Sequence, residues 1–234
     1  VSLLALILFF SFDHEVAGIQ FSERYEWLSI PGPWGPGKGA ISLLLGVDGV
    51  GVTMVILTGI VMLAGTLISW NIGKFQKDFF VLYFLLLSGV FGVFVSYDLF
   101  FFFFFYELSV LPMYLLIGKW GADSKFPTFV RTTEYSALKL TLVLVGASVL
   151  IWISIIAIFV QAEIGTFDIN KIQENGIAQF STQFQNIFFL CLMLGFGVLA
   201  GMWPFHTWSP DGHVAAPTAV SMVHAGVLMK LGAF

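Results

Sequence analysis

The chain of 234 residues is 58% hydrophobic and only 10% charged, with a mean hydropathy of +0.93. Soluble domains give roughly a quarter of their residues to charge, so a soluble core is excluded. The net charge of −4 comes with no basic cluster, so neither nucleic acid nor a polybasic lipid patch is suggested, and a single cysteine, Cys191, excludes an internal disulfide.

Seven apolar segments run along the chain, at 1–12, 49–70, 79–96, 99–118, 132–160, 184–205 and 218–234. Most approach the roughly 20 residues an α-helix needs to cross a hydrocarbon layer of about 30 Å, and a helix satisfies its own backbone groups in lipid. A transmembrane barrel would alternate in polarity over strands of ~10 residues, and the unbroken block Phe100 to Phe105 alternates with nothing. The predicted fold is therefore all-α, a polytopic transmembrane helix bundle, in which Cys191 reads as a small buried hydrophobe. The first segment is short and has neither an initiator Met nor a charged flank, so it is expected to be the remainder of a span that begins upstream. The last stops mid-helix without a cap, and the chain is expected to be part of a longer protein.

The connections set the expected orientation. Lys74, Lys77, Lys119, Lys125 and Arg131 occupy alternate short loops, whereas the longer stretches 13–48 and 161–183 hold only Arg24, Lys38 and Lys171. Basic residues accumulate on the cytoplasmic side, so the first visible span leaves the cytoplasm. The run Pro31-Gly32-Pro33-Trp34-Gly35-Pro36-Gly37 reads as a rigid external loop, with Trp27 and Trp34 suited to the membrane interface. Asp48 and Asp98 stand just before apolar runs and read as helix N-caps, and Phe100 to Tyr106 reads as lipid-facing or packed filler. Gly195, Gly197, Gly201, Pro204, Pro210 and Gly212 interrupt the sixth segment and its continuation. Two readings of that interruption stand: a kink absorbed by packing, or a broken helix that lines a cavity or ion path.

With the loops set aside, Glu107, Lys139 and Lys230 remain inside apolar segments. At 1.5 Å per residue from helix starts at Leu99, Thr132 and Thr218 they lie roughly 12, 10 and 18 Å deep. Charges persist there when they pair, face a wet cavity or work. A buried carboxyl and a buried ammonium each lose part of their preference for the charged form, so the two can exchange a proton near neutrality, and the charge on one controls the other. The alternative is a static ion pair that holds two helices in register. His224 lies about 120° around the helix from Lys230, so the two do not share a face, and it reads as a water-mediated relay member or as a hydrogen-bonding core residue. His206 and His213 flank the broken region, where solvation at the cytoplasmic surface is expected. No His pair has a zinc spacing, and there is no Gly-rich phosphate loop, no Cys cluster, and no flavin or nicotinamide pattern. No cofactor or metal is expected in this chain, and redox chemistry falls to partners.

Pro204-Phe205-His206-Thr207-Trp208-Ser209-Pro210-Asp211-Gly212-His213, with Ala216-Pro217-Thr218-Ala219 and Ala225-Gly226-Val227-Leu228-Met229-Lys230, resembles the signature of antiporter-like membrane subunits of respiratory NADH:quinone oxidoreductase, and is most similar to the chain M branch of that family. Glu107 with Pro112-Met113-Tyr114 is similar to the family's glutamate helix. The resemblance is strong from Tyr97 to Phe234. It implies a larger subunit built from two inverted repeats, with N-terminal helices and an external loop over 1–96 and the first antiporter-like repeat over 97–234. It makes Glu107, Lys139 and Lys230 proton-translocating residues, with a weaker transfer to His224, and Pro204, His206 and His213 members of the broken-helix region. It implies sister antiporter-like and other membrane subunits as partners, quinone and redox centres in those partners, and a bacterial or organellar inner membrane.

One departure stands out. The family's broken helix carries a lysine before its kink as the partner of the glutamate, and alignment on Pro204 and His206 puts Leu199 there. Lys139 is expected to serve instead, through water. The leading expectation is a proton-translocating subunit of a redox-driven complex. A subunit of a multisubunit sodium/proton antiporter or membrane-bound hydrogenase, and a non-pumping scaffold, are the alternatives.

Overall fold

The computed structural model describes residues 1–29, 32, 39–73, 75–125 and 130–234, with backbone alone at 124, 125, 130 and 131. Apart from Gly32, the run from Pro31 to Gly37 that reads as a rigid loop lies outside the described residues, as do Lys38 and Lys74. The chain opens with α1 (Ser2–Ser11) and an antiparallel hairpin of β1 (Gln20–Ser29) and β2 (Ala40–Val47). It then runs back and forth as α2 (Gly49–Ile68), α3 (Gln76–Val95), α4 (Leu99–Trp120) and α5 (Thr133–Ala162), with a small ladder of β3 (Ser124–Lys125) and β4 (Val130–Arg131) between the last two. A short α6 (Ile169–Lys171) continues through a π turn (Ile172–Gly176) and a 3-10 turn (Ile177–Gln179) to α7 (Thr182–Leu199). After the break come a 3-10 turn (Phe205–Thr207), α8 (Trp208–Ala215) and α9 (Thr218–Val223), which runs on as a π turn (His224–Leu228) and a 3-10 turn (Met229–Leu231).

Helices α2, α3, α4, α5 and α7 are each long and apolar enough to cross a membrane. Their starts follow from local chemistry. The Asp48 carboxylate accepts the Gly51 N–H at 2.6 Å, and Asp98 Oδ1 accepts those of Phe100 and Phe101 at 3.0 and 3.2 Å, so both act as the caps their positions predict. Thr132 and Ser181 cap α5 and α7 in the same way. α3 and α4 share the most extensive interface because Gly89 and Gly92 leave no side chain between them. A Cβ on Gly89 would stand 2.7 Å from the Phe105 carbonyl oxygen, and such close approach is what small residues permit in membrane helices.

The hairpin is an addition to the predicted bundle, since 13–48 reads as a connection without structure of its own. Its β2 strand is tied to the residue pair before α4 and to the segment after α5, with the Tyr97 N–H donating to the Leu44 carbonyl and the Ala40 N–H to Gly165, and the Leu99 N–H of α4 donates to Phe167 of that same segment. Arg24 on β1 reaches Asp168 at 3.1 Å. The hairpin and these contacts mark one end of the bundle, the hairpin end. Trp27 packs on Phe100 and Phe101, and Phe103 stacks on Trp152 at 4.8 Å, so most of the phenylalanine block is packed filler between α4, α5 and the hairpin.

Two expectations are corrected. The sixth span ends at Leu199 rather than running to 205, because Gly201 takes a left-handed φ of +79° that other residues adopt only at a cost. Cys191 is only partly buried. α7 packs along one side against α5, and its buried residues, Gly195, Val198 and Leu199, lie near its far end.

Candidate functional site

The break between α7 and α8 is the centre of the polar chemistry. α8 buries Trp208, Ser209, Asp211, Gly212 and Ala215, and all but Ser209 fall on one helical stripe facing the bundle. Asp211 stands in the first turn of α8, where the exposed N–H groups favour a negative charge. Across from it, the Lys139 ammonium on α5 donates to Asp211 Oδ2 at 2.8 Å and to the Thr207 carbonyl at 3.1 Å. The Lys139 side chain keeps 24% of its surface exposed and Asp211 only 6%. One cation therefore holds both the carboxylate of α8 and the backbone just before it.

That contact overturns the expected water link from Lys139 to Glu107. The Glu107 carboxyl instead faces Ser148 on α5. Lys139 and Ser148 are nine residues apart on that helix, which is about 13 Å of rise and close to half a turn in direction. The two charges thus address opposite faces and different depths of α5. Glu107 Oε1 is fully buried and has no hydrogen-bond partner among the described residues. Leu199, where the resemblance would place a lysine, is 1% exposed and belongs to the hydrophobic core.

His206 and His213 are not the solvated surface residues that their sequence positions suggest. His213 lies within α8, half buried, with Nδ1 at 3.1 Å from the Ser221 hydroxyl. Its ring stacks on His224 at 3.9 Å and 17°, and His224 stacks in turn on Trp208 at 5.3 Å. His224 is completely buried, and neither of its ring nitrogens has a partner among the described residues. His206 is half buried, with Nδ1 likewise unpartnered. Because Gly212 has no side chain, α8 can lie close to the His224 ring, which a Cβ there would approach at 3.2 Å.

Lys230 is exposed on the outside of this chain and donates to the Ala225 carbonyl, so it is not enclosed as its depth in the segment predicts. The π turn at His224–Leu228 adds a residue to that turn and swings the positions after it around the axis. Pro204 is exposed just before the 3-10 turn. Among the described residues no group of three His, Cys, Asp or Glu side chains could hold a metal ion.

Asp211 is the functional candidate that sequence reasoning passed over, although it lies inside the quoted motif. Its signal was present: Trp208, Asp211, Gly212 and Ala215 follow the i, i+3, i+4, i+7 spacing of a buried helical face. The Pro and Gly residues on either side hid it, since they read as loop.

The transmembrane family described as NADH:quinone oxidoreductase/Mrp antiporter matches residues 96–234. NADH-quinone oxidoreductase subunit M of Rhodobacter capsulatus is 32% identical over 99% of this chain and 43% of its own length. The protein of the same name from Rickettsia prowazekii is 34% identical over 98% of this chain and 43% of its own. The chain therefore spans less than half the length of these relatives. Among solved structures, respiratory complex I from Thermus thermophilus with bound NADH superposes with a TM-score of 0.79 at 21% identity, covering 99% of this chain and 44% of the other. The Mrp complex from Dietzia sp. superposes at 0.76 and 20% identity, covering 99% and 23%. The last two likenesses establish the fold: an antiporter-like, multi-pass integral membrane bundle.

Proposed function

The chain belongs to the NADH:quinone oxidoreductase/Mrp antiporter transmembrane family, and on that footing we propose that it is the first half-channel of a proton-translocating subunit in a redox-driven quinone oxidoreductase. Residues 97–234 form the first antiporter-like repeat, and 1–96 supply the helices and hairpin that frame it. The subunit makes and breaks no covalent bonds other than those to protons. Quinone and redox centres belong to partner subunits, which include sister antiporter-like chains, and the assembly sits in a bacterial or organellar inner membrane.

The observation that carries this reading is the Lys139–Asp211 pair across the broken helix. An ion pair that also grips the Thr207 carbonyl couples the charge of α5 to the position of α8. Neutralising Lys139 releases both contacts at once and frees α8 to move, which opens the region of His213 and His224 to water. Glu107, at mid-membrane depth, receives or supplies the proton. Lys230 faces outward, where the remainder of the full-length subunit would meet it. The names of the relatives at 32–34% identity favour the oxidoreductase over the sodium/proton antiporter as the parent assembly.

The test is Glu107→Gln in the assembled membrane complex. Electron transfer from NADH to quinone and proton uptake are measured together, in the presence and absence of sodium. The expected outcome is an assembled complex that transfers electrons and pumps fewer protons per electron pair. Unchanged pumping would make the chain a scaffold, and pumping that depends on a sodium gradient would favour the antiporter.

A further inference from the structure

At the end of the bundle opposite the hairpin, Lys77 and Asp78 in the first turn of α3 meet Lys119 in the last turn of α4. The Asp78 carboxylate accepts from the Lys119 ammonium at 3.0 Å, and the same ammonium lies over the Phe75 ring at 4.1 Å and the Trp120 ring at 4.8 Å. One anion and two aromatic faces thus fix where this cation stands. Lys77 beside it is exposed. Two ammonium groups against one carboxylate leave a single positive charge at this point.

Beneath these charges α3 and α4 leave a groove of about 370 Å³, walled by Val81, Leu82 and Leu115 and bordered by Lys77, Asp78 and Lys119. Val81 follows Lys77 by four residues and Leu115 precedes Lys119 by four. Each apolar wall therefore stands one turn, about 6 Å, further into the membrane than its lysine. Val81 is 58% exposed and Leu115 39%, so the groove opens to the outside of the bundle. Trp70, just past the end of α2, and Trp120 stand at the same level. Tryptophan collects where hydrocarbon meets headgroups, which puts the lysines at headgroup depth and the groove at the depth of the first acyl carbons. The loops at this end hold most of the basic residues, as cytoplasmic loops do.

We propose that this groove binds one anionic phospholipid of the cytoplasmic leaflet, with its phosphate held by Lys77 and Lys119 and an acyl chain laid along Val81, Leu82 and Leu115. The charge left over at the mouth matches the one negative charge of a phosphodiester whose headgroup carries no amine. A choline headgroup brings its own cation against the lysines and gains less. The apolar wall distinguishes a lipid from a free phosphate ion, which has no chain to place there. The two lysines are far apart in sequence and form no basic cluster in it; only the close packing of α3 on α4, at Gly89 and Gly92, sets them over one groove. The site lies away from the break between α7 and α8 and does not rest on the proposed function.

The experiment places the assembled membrane complex in phosphatidylcholine nanodiscs doped with phosphatidylglycerol that carries a diazirine near the start of one acyl chain. A matched set carries the same diazirine on phosphatidylcholine. After illumination, labelled residues are located by mass spectrometry. Labelling at Val81, Leu82 and Leu115 is expected to be about fivefold stronger from the anionic probe, the gain from one net positive charge near the surface. Lys77→Gln combined with Lys119→Gln should bring it to or below the phosphatidylcholine level. Val81→Trp keeps every charge and fills the groove, so it should lower labelling by both probes and keeps the site testable if the lysine variant fails to assemble. Excess inorganic phosphate at matched ionic strength should not compete. Competition by phosphate would make the site one for the free anion, equal labelling by the two probes would make it ordinary lipid contact, and no labelling would mean that a partner subunit covers it. Each of these overturns the proposal.

Discussion

Lys139 and Glu107 are both ionisable side chains held among apolar helices, and both face α5 or stand on it, yet their surroundings differ completely. Lys139 has an anionic partner, a backbone carbonyl and a quarter of its side-chain surface still open. Glu107 has one buried oxygen with no hydrogen-bond partner among the described residues. A charge that cannot be given up must be paired, whereas an acid that can keep its proton need not be. The first arrangement ties two helices together, and the second leaves a group free to exchange. The bundle thus combines an ion-paired latch at the break between α7 and α8 with a carboxyl at mid-depth that forms no ion pair among the described residues.

The comparison breaks first at Asp211. Asp211→Ala leaves the Lys139 ammonium with the Thr207 carbonyl alone, and removal of one partner of a buried pair costs about 3–5 kcal/mol. Thermal denaturation in detergent should show that loss, and Lys139→Met combined with Asp211→Leu should recover most of it, because no charge is then left unpaired. A harmless Asp211→Ala would mean that the pair holds nothing together.

Asp98, at the hairpin end and outside the spans, offers a carboxyl between the two extremes. Its Oδ1 caps α4 while its Oδ2 is buried without a partner, and burial, with a smaller push from Asp168, raises its pKa to about 6. Arg24 pairs with Asp168, and Asp98 forms no ion pair among the described residues. The folded state therefore holds this proton more tightly than the unfolded chain does. Stability contributed by the neutral acid is present at pH below about 4 and is lost as pH rises toward about 6. Asp98→Asn keeps a competent cap and removes the titration, so a plot of Tm against pH should slope downward over that window in the wild type and lose this component in the variant. A wild-type curve that rises there would place the Asp98 proton wrongly.

A smaller effect sharpens the same contrast. Lys119 and Asp78 meet at 3.0 Å with 42% and 54% of their side chains exposed, so Lys119→Ala should cost only about 0.2–1 kcal/mol and less in high salt.

The transmembrane spans were legible residue by residue. Segment limits at 49–70, 79–96 and 99–118 fall within a few residues of α2, α3 and α4, and Asp48 and Asp98 cap where an acidic residue before an apolar run should. The hairpin was hidden because β1 reads as an ordinary polar connection and β2 as a lead into the next apolar run, and its pairing with the start of α4 is non-local. The histidines were misjudged for a related reason. Position 213 looks like a loop until α8 forms and brings its ring over His224.

What the chain alone determined was therefore the sum of local terms: hydropathy over about twenty residues, a cap, a glycine where a helix must stop. These depend on near neighbours and survive any arrangement of the helices. Only the tertiary structure decided which charges meet. Lys139 and Asp211 are 72 residues apart in sequence, and their contact depends on the rotation of α5 and the break before α8. The same packing turned Lys230 outward and left Glu107 without a cation, because a helix that rotates by one residue carries each side chain about 100° around its axis.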